Sequence, residues 1–263
     1  MTTPMTTNDS AKVSRLRLSV LLWLAGMPGV VVITVTVLPR LLSDVSLGAP
    51  LWVISLASLA QSAVLVALAV WSGAALTPKV GLRAPAFEAA VSGRPIASAL
   101  RPQLRPGLVA GALGGAVLFA IGGYASPAAL AEVQQRFEVP ILGRVLYGGL
   151  TEELLLRWGL MTALVWLGWR LMQRGSGTPR AVYVWLAIVV SALLFGVGHL
   201  PAAAILVGRL TGELVLYVVG VNTAFGVLFG YLFWRYGLDA AMIAHGTAHI
   251  VSHAAGVIQS GTA

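Results

Sequence analysis

Residues 212–258 read GELVLYVVGVNTAFGVLFGYLFWRYGLDAAMIAHGTAHIVSHAAGVI, and this stretch decides the fold class of the chain. It contains two apolar runs, 212–234 and 238–258, and only residues 235–237 separate them. A helix needs about 20 apolar residues to cross the hydrocarbon core of a bilayer, which is about 30 Å thick. The stretch therefore predicts two membrane-spanning helices joined by a tight turn.

The composition of the whole chain agrees with a membrane protein. Hydrophobic residues make up 58% of the chain and charged residues only 10%, whereas charged residues make up roughly 25% of an average soluble protein. The net charge of +8 comes from basic residues in the gaps between apolar runs, as in cytoplasmic membrane loops. We therefore expect a lipid bilayer and no nucleic acid as a partner. The chain has no cysteine, which excludes disulfides and thiolate metal sites.

Seven apolar runs are long enough to span a membrane. We predict an all-α, polytopic transmembrane helical bundle of about seven spans, with six to eight possible from the same pattern. The residues between the second and third runs, 77–106, are predicted to form a basic surface loop, and residues 126–140 a short amphipathic helix. The predicted spans are 18–39, 51–76, 107–125, 142–168, 181–201, 212–234 and 238–258.

Arginine and lysine positions predict the orientation of these spans. With the N-terminus in the cytoplasm, twelve of the seventeen basic residues fall on the inner side and four on the outer side, and Arg157 lies inside a span. Cytoplasmic loops of membrane proteins carry an excess of basic residues. The expected arrangement is a multi-pass protein of the cell membrane with a cytoplasmic N-terminus and an outer C-terminus.

Ionisable residues inside the predicted spans are the candidates for function. A charge near the bilayer centre costs at least about 2.5–3.5 kcal/mol on insertion scales, and such residues usually mark function. All four histidines of the chain lie in or at the end of spans. The ionisable residues in question are Glu152, Glu153 and Arg157 in the fourth span, His199 in the fifth, and His245, His249 and His253 in the seventh.

The two adjacent acids of the fourth span are predicted to face different neighbours. Glu153 and Arg157 are four residues apart, so they share a helical face and can form an ion pair. Glu152 points about 100° away and is free to face another helix. A carboxylate in that position suits general-base work on water, and the alternative is a structural polar contact between helices.

The histidines of the seventh span are spaced four residues apart and share one face. Two histidines at this spacing are typical of a metal site or an oxyanion-binding arrangement. The alternative is a polar stripe that faces a wet cavity, and this interpretation is preferred for His253. His199 precedes Pro201, which is expected to limit the helix, and alone it is typical of a histidine near a helix end.

Three motifs in order resemble those of one family of membrane proteases. They are Glu152-Glu153 followed by Arg157, then Phe195-x-x-x-His199, and then His245-x-x-x-His249. The chain resembles the CPBP (CAAX protease and bacteriocin-processing, or Abi) family, also called type II CAAX prenyl endopeptidases, over about residues 140–255. The resemblance divides the chain into a cytoplasmic tail, N-terminal spans with a basic loop, and a catalytic transmembrane domain, at 1–17, 18–139 and 140–258.

The resemblance implies a site for peptide hydrolysis. Glu152 would activate a water that His199 helps to hold, and His245 and His249 would stabilise the oxyanion. In a second version, Glu152, His199, His245 and His249 bind a zinc ion whose water is the nucleophile. Both versions imply an intramembrane endopeptidase, of glutamate or metallo type.

Two further implications concern the residues around this set. Glu153 and Arg157 would orient the helix and tune Glu152. His249 departs from the family pattern, which usually has Asn or Asp at this position, so it would act as a donor only in a suitable tautomer or protonation state.

The sequence leaves the substrate and two other functions open. The expected substrate is a peptide or protein segment close to the bilayer, lipidated or not. Buried acids and histidines also serve proton-coupled transporters, and the departure at His249 is compatible with an inactive family member that acts as an immunity or scaffold protein. Replacement of Glu152 by Gln separates hydrolysis, ion flux and scaffolding.

Overall fold

The computed structural model describes residues 14–261, except for the side chains of Gln134 and Gln135. Over this range the chain is helical outside its turns and contains no β-strand, which confirms the predicted all-α class. Most of the predicted cytoplasmic tail, including Lys12, lies outside the described residues.

Nine helices follow one another in the described range. Two of them, α1 and α6, contain π-helical stretches, and α7 bends at His199. The helices are α1 (Arg15–Leu41), α2 (Leu51–Val80), α3 (Pro85–Val91), α4 (Ile96–Tyr124), α5 (Ala128–Arg136), α6 (141–172), α7 (Ala181–Val207), α8 (Gly212–Tyr236) and α9 (Leu238–Gly261).

Five of the helices that the structure describes are long and apolar enough to cross a membrane, namely α1, α2, α4, α7 and α8. The other two predicted spans correspond to α6 and α9, whose ionisable residues lower their mean hydropathy. The α9 helix has 24 residues, or about 36 Å at 1.5 Å per residue, so it is long enough to cross as well. The chain is a multi-pass membrane protein.

The predicted surface loop at 77–106 is wrong in its extent. The α2 helix continues to Val80, α3 occupies Pro85–Val91, and α4 already begins at Ile96. Pro102 and Pro106 lie inside α4. Membrane helices tolerate proline because neighbouring groups satisfy the freed carbonyls.

Pro201 does not stop the fifth predicted span. The helix bends at His199 and resumes as Leu200–Val207, with Pro201 in the first turn of the new segment. Proline is favoured in a first turn because its missing N–H has no partner there in any case. The bend leaves His199 at a corner of α7.

The helix that carries the acids, α6, is π-helical over Arg144–Glu152 and Leu154–Met161. Such stretches have i to i+5 hydrogen bonds, are rare, and occur frequently at functional sites. The angle of about 100° predicted between Glu152 and Glu153 is that of a regular α-helix, so it is only approximate in this π-helical stretch.

Polar side chains fix α6 against the N-terminal helices. The fully buried Trp158 donates its indole N–H to the Val70 carbonyl of α2 at 3.2 Å. Thr151 donates its hydroxyl to the Gly26 carbonyl of α1 at 2.7 Å. These bonds set the rotation of α6 and therefore the direction in which each acid points.

The α9 helix packs closely against α4 through three glycines. A Cβ atom on Gly107, Gly111 or Gly115 would come within 3.0 Å of α9 atoms. Small residues at four-residue spacing allow this close approach between membrane helices. As a result, α9 is held with its histidines toward α6.

The tight turn predicted between the last two spans is confirmed. The α8 helix ends at Tyr236 and α9 begins at Leu238, with Gly237 between them at a φ of 114°. The short helix predicted within 126–140 is also confirmed, as α5.

Candidate active site

The predicted site residues surround one cavity of about 730 Å³. The walls come from α4, α6, α7, α8 and α9, with α5 and the segment after it at one side. Of the predicted catalytic residues, Glu152, His199, His245 and His249 line this cavity. The structure thus gathers side chains from three helices that are far apart in sequence.

Glu152 lies between two imidazole rings. Its Oε1 atom is 3.9 Å from Nε2 of His199, and its Oε2 atom is 4.0 Å from Nε2 of His245. Both distances are longer than a hydrogen bond. The side chain is 16% exposed, so the carboxylate retains access to the cavity.

Glu153 is completely buried and faces the other way. Its Oε1 atom is 3.3 Å from Nη1 of Arg157, so the ion pair predicted from their spacing is present. The same oxygen is 2.8 Å from Nδ1 of His245, a contact that the sequence analysis did not predict. Arg157 also donates from Nη2 to the Gly226 carbonyl at 3.1 Å, which fixes the pair between α6 and α8.

Hydrogen bonds at Nδ1 orient both imidazoles toward Glu152. Nδ1 of His199 is 2.8 Å from the Phe195 carbonyl, and a carbonyl can only accept, so this nitrogen carries the proton. Glu153 accepts from Nδ1 of His245 in the same way. In the neutral rings, Nε2 is then an unprotonated acceptor. Both rings present the same kind of nitrogen to one carboxylate.

Aromatic rings hold the imidazoles in place. Phe195 contacts His199 edge-on, with ring centroids 4.8 Å apart. Phe229 stacks on His245 at 4.3 Å and an interplanar angle of 20°. The Arg157 guanidinium lies 5.0 Å from the Phe195 ring and 5.6 Å from the Phe229 ring, within the range of cation–π attraction. The two phenylalanines therefore connect the buried ion pair to the imidazoles.

His249 lines the cavity beside His245, with ring centroids 4.9 Å apart. A Cβ on Gly148 would lie 2.9 Å from Nε2 of His249, so only glycine leaves room for this ring. This places a third imidazole in the cavity, at the position where the family usually has Asn or Asp.

His253 does not join the other three histidines. Its Nδ1 atom is 3.4 Å from Oε1 of Glu138, a residue that also pairs with Arg144 at 3.0 Å. The Glu138 side chain is 60% exposed. His253 thus belongs to a polar group on the surface, whereas the interpretation preferred for it from the sequence was a polar stripe that faces a wet cavity.

The positions of the donor atoms do not fit a tetrahedral zinc ion. Two ligand atoms on such an ion lie about 3.4 Å apart when the bonds are about 2.0–2.1 Å, and the Glu152 oxygens are 3.9 and 4.0 Å from the imidazole nitrogens. Among residues 14–261, no group of three His, Cys, Asp or Glu side chains is arranged to hold a metal ion. Zinc remains a prediction from the resemblance.

Several polar residues of the cavity were missed, among them Tyr147 and Asn222. Asn222 donates its side-chain N–H to the Val218 carbonyl at 2.8 Å. The signal for Asn222 was present, because an amide inside an otherwise apolar span is expensive. Tyr147 has no such signal, since tyrosine is common near both ends of membrane helices.

The comparison with known proteins agrees with these motifs. Residues 134–251 match the family model described as Type II CAAX prenyl endopeptidase Rce1-like. This range contains all three motifs and all six predicted catalytic residues. No curated protein and no solved structure matches the chain.

Proposed function

Because the chain belongs, through residues 134–251, to the Rce1-like family of type II CAAX prenyl endopeptidases, we propose that it cleaves a peptide bond close to the membrane with Glu152 as the general base. The family assignment makes the chain a protease of the membrane. We choose Glu152 as the general base because its carboxylate lies between two imidazole Nε2 atoms.

A water molecule fits the donors and acceptors of this group. Glu152 and Nε2 of neutral His199 are both acceptors, 3.9 Å apart, and a water can donate one hydrogen to each. Its oxygen is then free to attack the carbonyl carbon of the peptide. Glu152 takes one proton as the C–O bond forms and returns it to the amine when the C–N bond breaks.

His245 is proposed to stabilise the oxyanion, with Glu153 as its positioning residue. The Glu153 carboxylate, 2.8 Å from Nδ1, fixes the ring with Nε2 toward the cavity. Nε2 becomes a donor to the oxyanion when Glu152, 4.0 Å away, passes it the proton taken from water, and this proton returns through Glu152 to the amine. In serine hydrolases, a buried acid that is hydrogen-bonded to Nδ1 of the imidazole likewise orients the ring and stabilises its charged form. Arg157 holds Glu153, so these two residues act through His245 rather than by tuning Glu152. His249 is a further donor on the same side.

Zinc dependence is a second proposal. The chemical types of the donor atoms support it, but the distances between these atoms do not. A carboxylate and two imidazole Nε2 atoms are ligands that zinc takes, and here they face one space. We derive no step through a metal. Dialysis against a chelator separates the two forms, since the metal-free mechanism predicts full activity afterwards, and a loss restored by Zn²⁺ would support the metal form.

The substrate is proposed to enter from the side opposite the basic residues. The cavity is lined by the C-terminal end of α4 and by residues near Leu206 and Ser252, whereas most arginines lie at the other ends of the helices. With the predicted orientation, the opening would lie on the outer face.

Labelling of introduced cysteines tests this orientation. Because the chain has no cysteine, Ser252→Cys should react with a membrane-impermeant maleimide on intact cells and Ser98→Cys should not. The reverse pattern would contradict this orientation.

Hydrolysis of a quenched reporter peptide by the protein in liposomes tests the function. We expect Glu152→Gln to abolish cleavage and Glu138→Gln, a surface acid at the cavity edge, to preserve it. A change in proton flux with no cleavage by either protein would favour a transporter. An unchanged cellular phenotype of Glu152→Gln would favour an inactive scaffold.

A further inference from the structure

A second pocket lies at the opposite end of the bundle from the candidate active site. Its volume is about 430 Å³. It is formed by the turn between α2 and α3, the beginning of α4, the end of α8 and the turn between α8 and α9. None of its lining residues belongs to the cavity around Glu152.

Three arginines, Arg83, Arg94 and Arg235, line this pocket, and no carboxylate is among its lining residues. Arg83 is partly neutralised by Glu88 at 3.1 Å. No ion pair in the described part of the chain includes Arg94 or Arg235. The pocket therefore has a net positive charge that its own walls do not neutralise.

The backbone around the pocket is fixed. The amide of Leu238 donates to the Arg83 carbonyl at 2.9 Å, and Asp239 accepts from the amide of Ala86 at 3.1 Å. A Cβ on Gly237 would lie 2.7 Å from Cδ of Pro85, so glycine is needed for this close approach. The pocket is thus formed in advance and does not depend on a ligand to bring its walls together.

The pocket lies at the level of a membrane interface. It contains the ends of two apolar helices, α4 and α8, and follows directly on the end of α2. Trp234 and Tyr236 are among its lining residues. Tryptophan and tyrosine are enriched where lipid headgroups begin. The wall also includes Gln103, which is 4% exposed and whose Oε1 atom has no hydrogen-bond partner among the described residues. This oxygen only accepts hydrogen bonds, so it suits a headgroup hydroxyl and not the phosphate.

We propose that this pocket binds the phosphate of an anionic phospholipid headgroup. Guanidinium groups bind phosphate through paired, charge-assisted hydrogen bonds, and basic pockets between membrane helices on the cytoplasmic side are typical sites for anionic lipid headgroups. The acyl chains of such a lipid would lie along the exposed apolar surfaces of the adjoining helices. A free phosphate ion has the same binding chemistry, so the test must separate the two sources.

The test measures lipid binding to the full-length protein in a neutral detergent. Phosphatidylglycerol and phosphatidylcholine are titrated separately, and binding is followed by native mass spectrometry and by the shift in melting temperature. We expect the double variant Arg94→Gln/Arg235→Gln to bind phosphatidylglycerol about 30-fold more weakly than the wild type. The matched control is Arg101→Gln/Arg105→Gln, which removes two exposed arginines of α4 that do not line the pocket.

The outcomes are distinct. Weaker binding in the pocket variant alone supports the site, and an equal loss in both double variants overturns it in favour of general surface charge. If inorganic phosphate or glycerol phosphate stabilises the wild type as strongly as the lipid does, the pocket binds a free anion and the lipid proposal is wrong. Arg94→Lys/Arg235→Lys keeps the charge and should retain most of the binding, and a full loss in this variant overturns the electrostatic account.

Discussion

The two faces of α6 carry adjacent glutamates in different surroundings. The cavity face presents Glu152, which is 16% exposed and 3.9–4.0 Å from two imidazoles. The core face presents Glu153, which is fully buried and in contact with His245 and Arg157. Identical neighbours in sequence thus acquire different surroundings from the helices that pack on each face. We propose that Glu152 acts on water and that Glu153 positions His245.

The largest effect on stability is expected on the core face. Arg157→Met leaves the buried Glu153 carboxylate without its cation, and breaking a buried pair in this way costs about 3–5 kcal/mol. The control is Arg144→Met, which breaks an exposed pair with Glu138 and should cost at most about 1 kcal/mol. Thermal unfolding in detergent measures both. Equal melting temperatures for the two variants would show that the core pair does not stabilise the fold.

A smaller effect is expected where α6 approaches His249. Gly148→Ala places a Cβ 2.9 Å from Nε2 of that ring, and overpacking of this kind costs about 1–3 kcal/mol. The ring must move, so the rate of peptide cleavage should also fall. Gly220→Ala in α8 is the control, because its Cβ would meet no atom within 4 Å and it does not line the cavity. If both variants cleave at the wild-type rate and have the same melting temperature, a glycine at position 148 is not needed to make room for His249.

The smallest effect is expected at the surface pair of His253. His253→Ala removes a contact to the exposed Glu138, so stability should change by no more than about 1 kcal/mol and cleavage should stay near the wild-type rate. His249→Ala, one turn earlier and inside the cavity, should reduce cleavage much more. A larger loss at His253 than at His249 would place the site nearer to the outer end of α9.

The sequence was sufficient for those features that depend on local spacing. The apolar runs predicted the helices, the spacing of four predicted the contact between Glu153 and Arg157, and residues 235–237 predicted the turn. Pro201 was a poor guide to the helix end, because it lies in the first turn of the resumed segment Leu200–Val207, where its missing N–H has no partner in any case. Pro102 and Pro106 lie inside α4, where the sequence predicted a loop.

Features that depend on packing between helices were beyond the sequence. The contact between Glu153 and His245 joins residues 92 positions apart, and no local pattern specifies it. It depends on glycines such as Gly107 and Gly111, which let α9 approach α4, and on the rotation of α6 that Trp158 sets by its bond to α2. The π-helical course of α6 similarly has no signal in its composition.

The division of roles between the adjacent acids is tested most directly by the kinetics of Glu152→Gln with a reporter peptide, normalised to the folded fraction. General-base catalysis contributes about 10²–10⁴-fold, so kcat should fall by at least about 100-fold while KM and the melting temperature stay close to those of the wild type. A variant that keeps its kcat, or that loses activity only in proportion to its folded fraction, would contradict the assignment of Glu152 as the base.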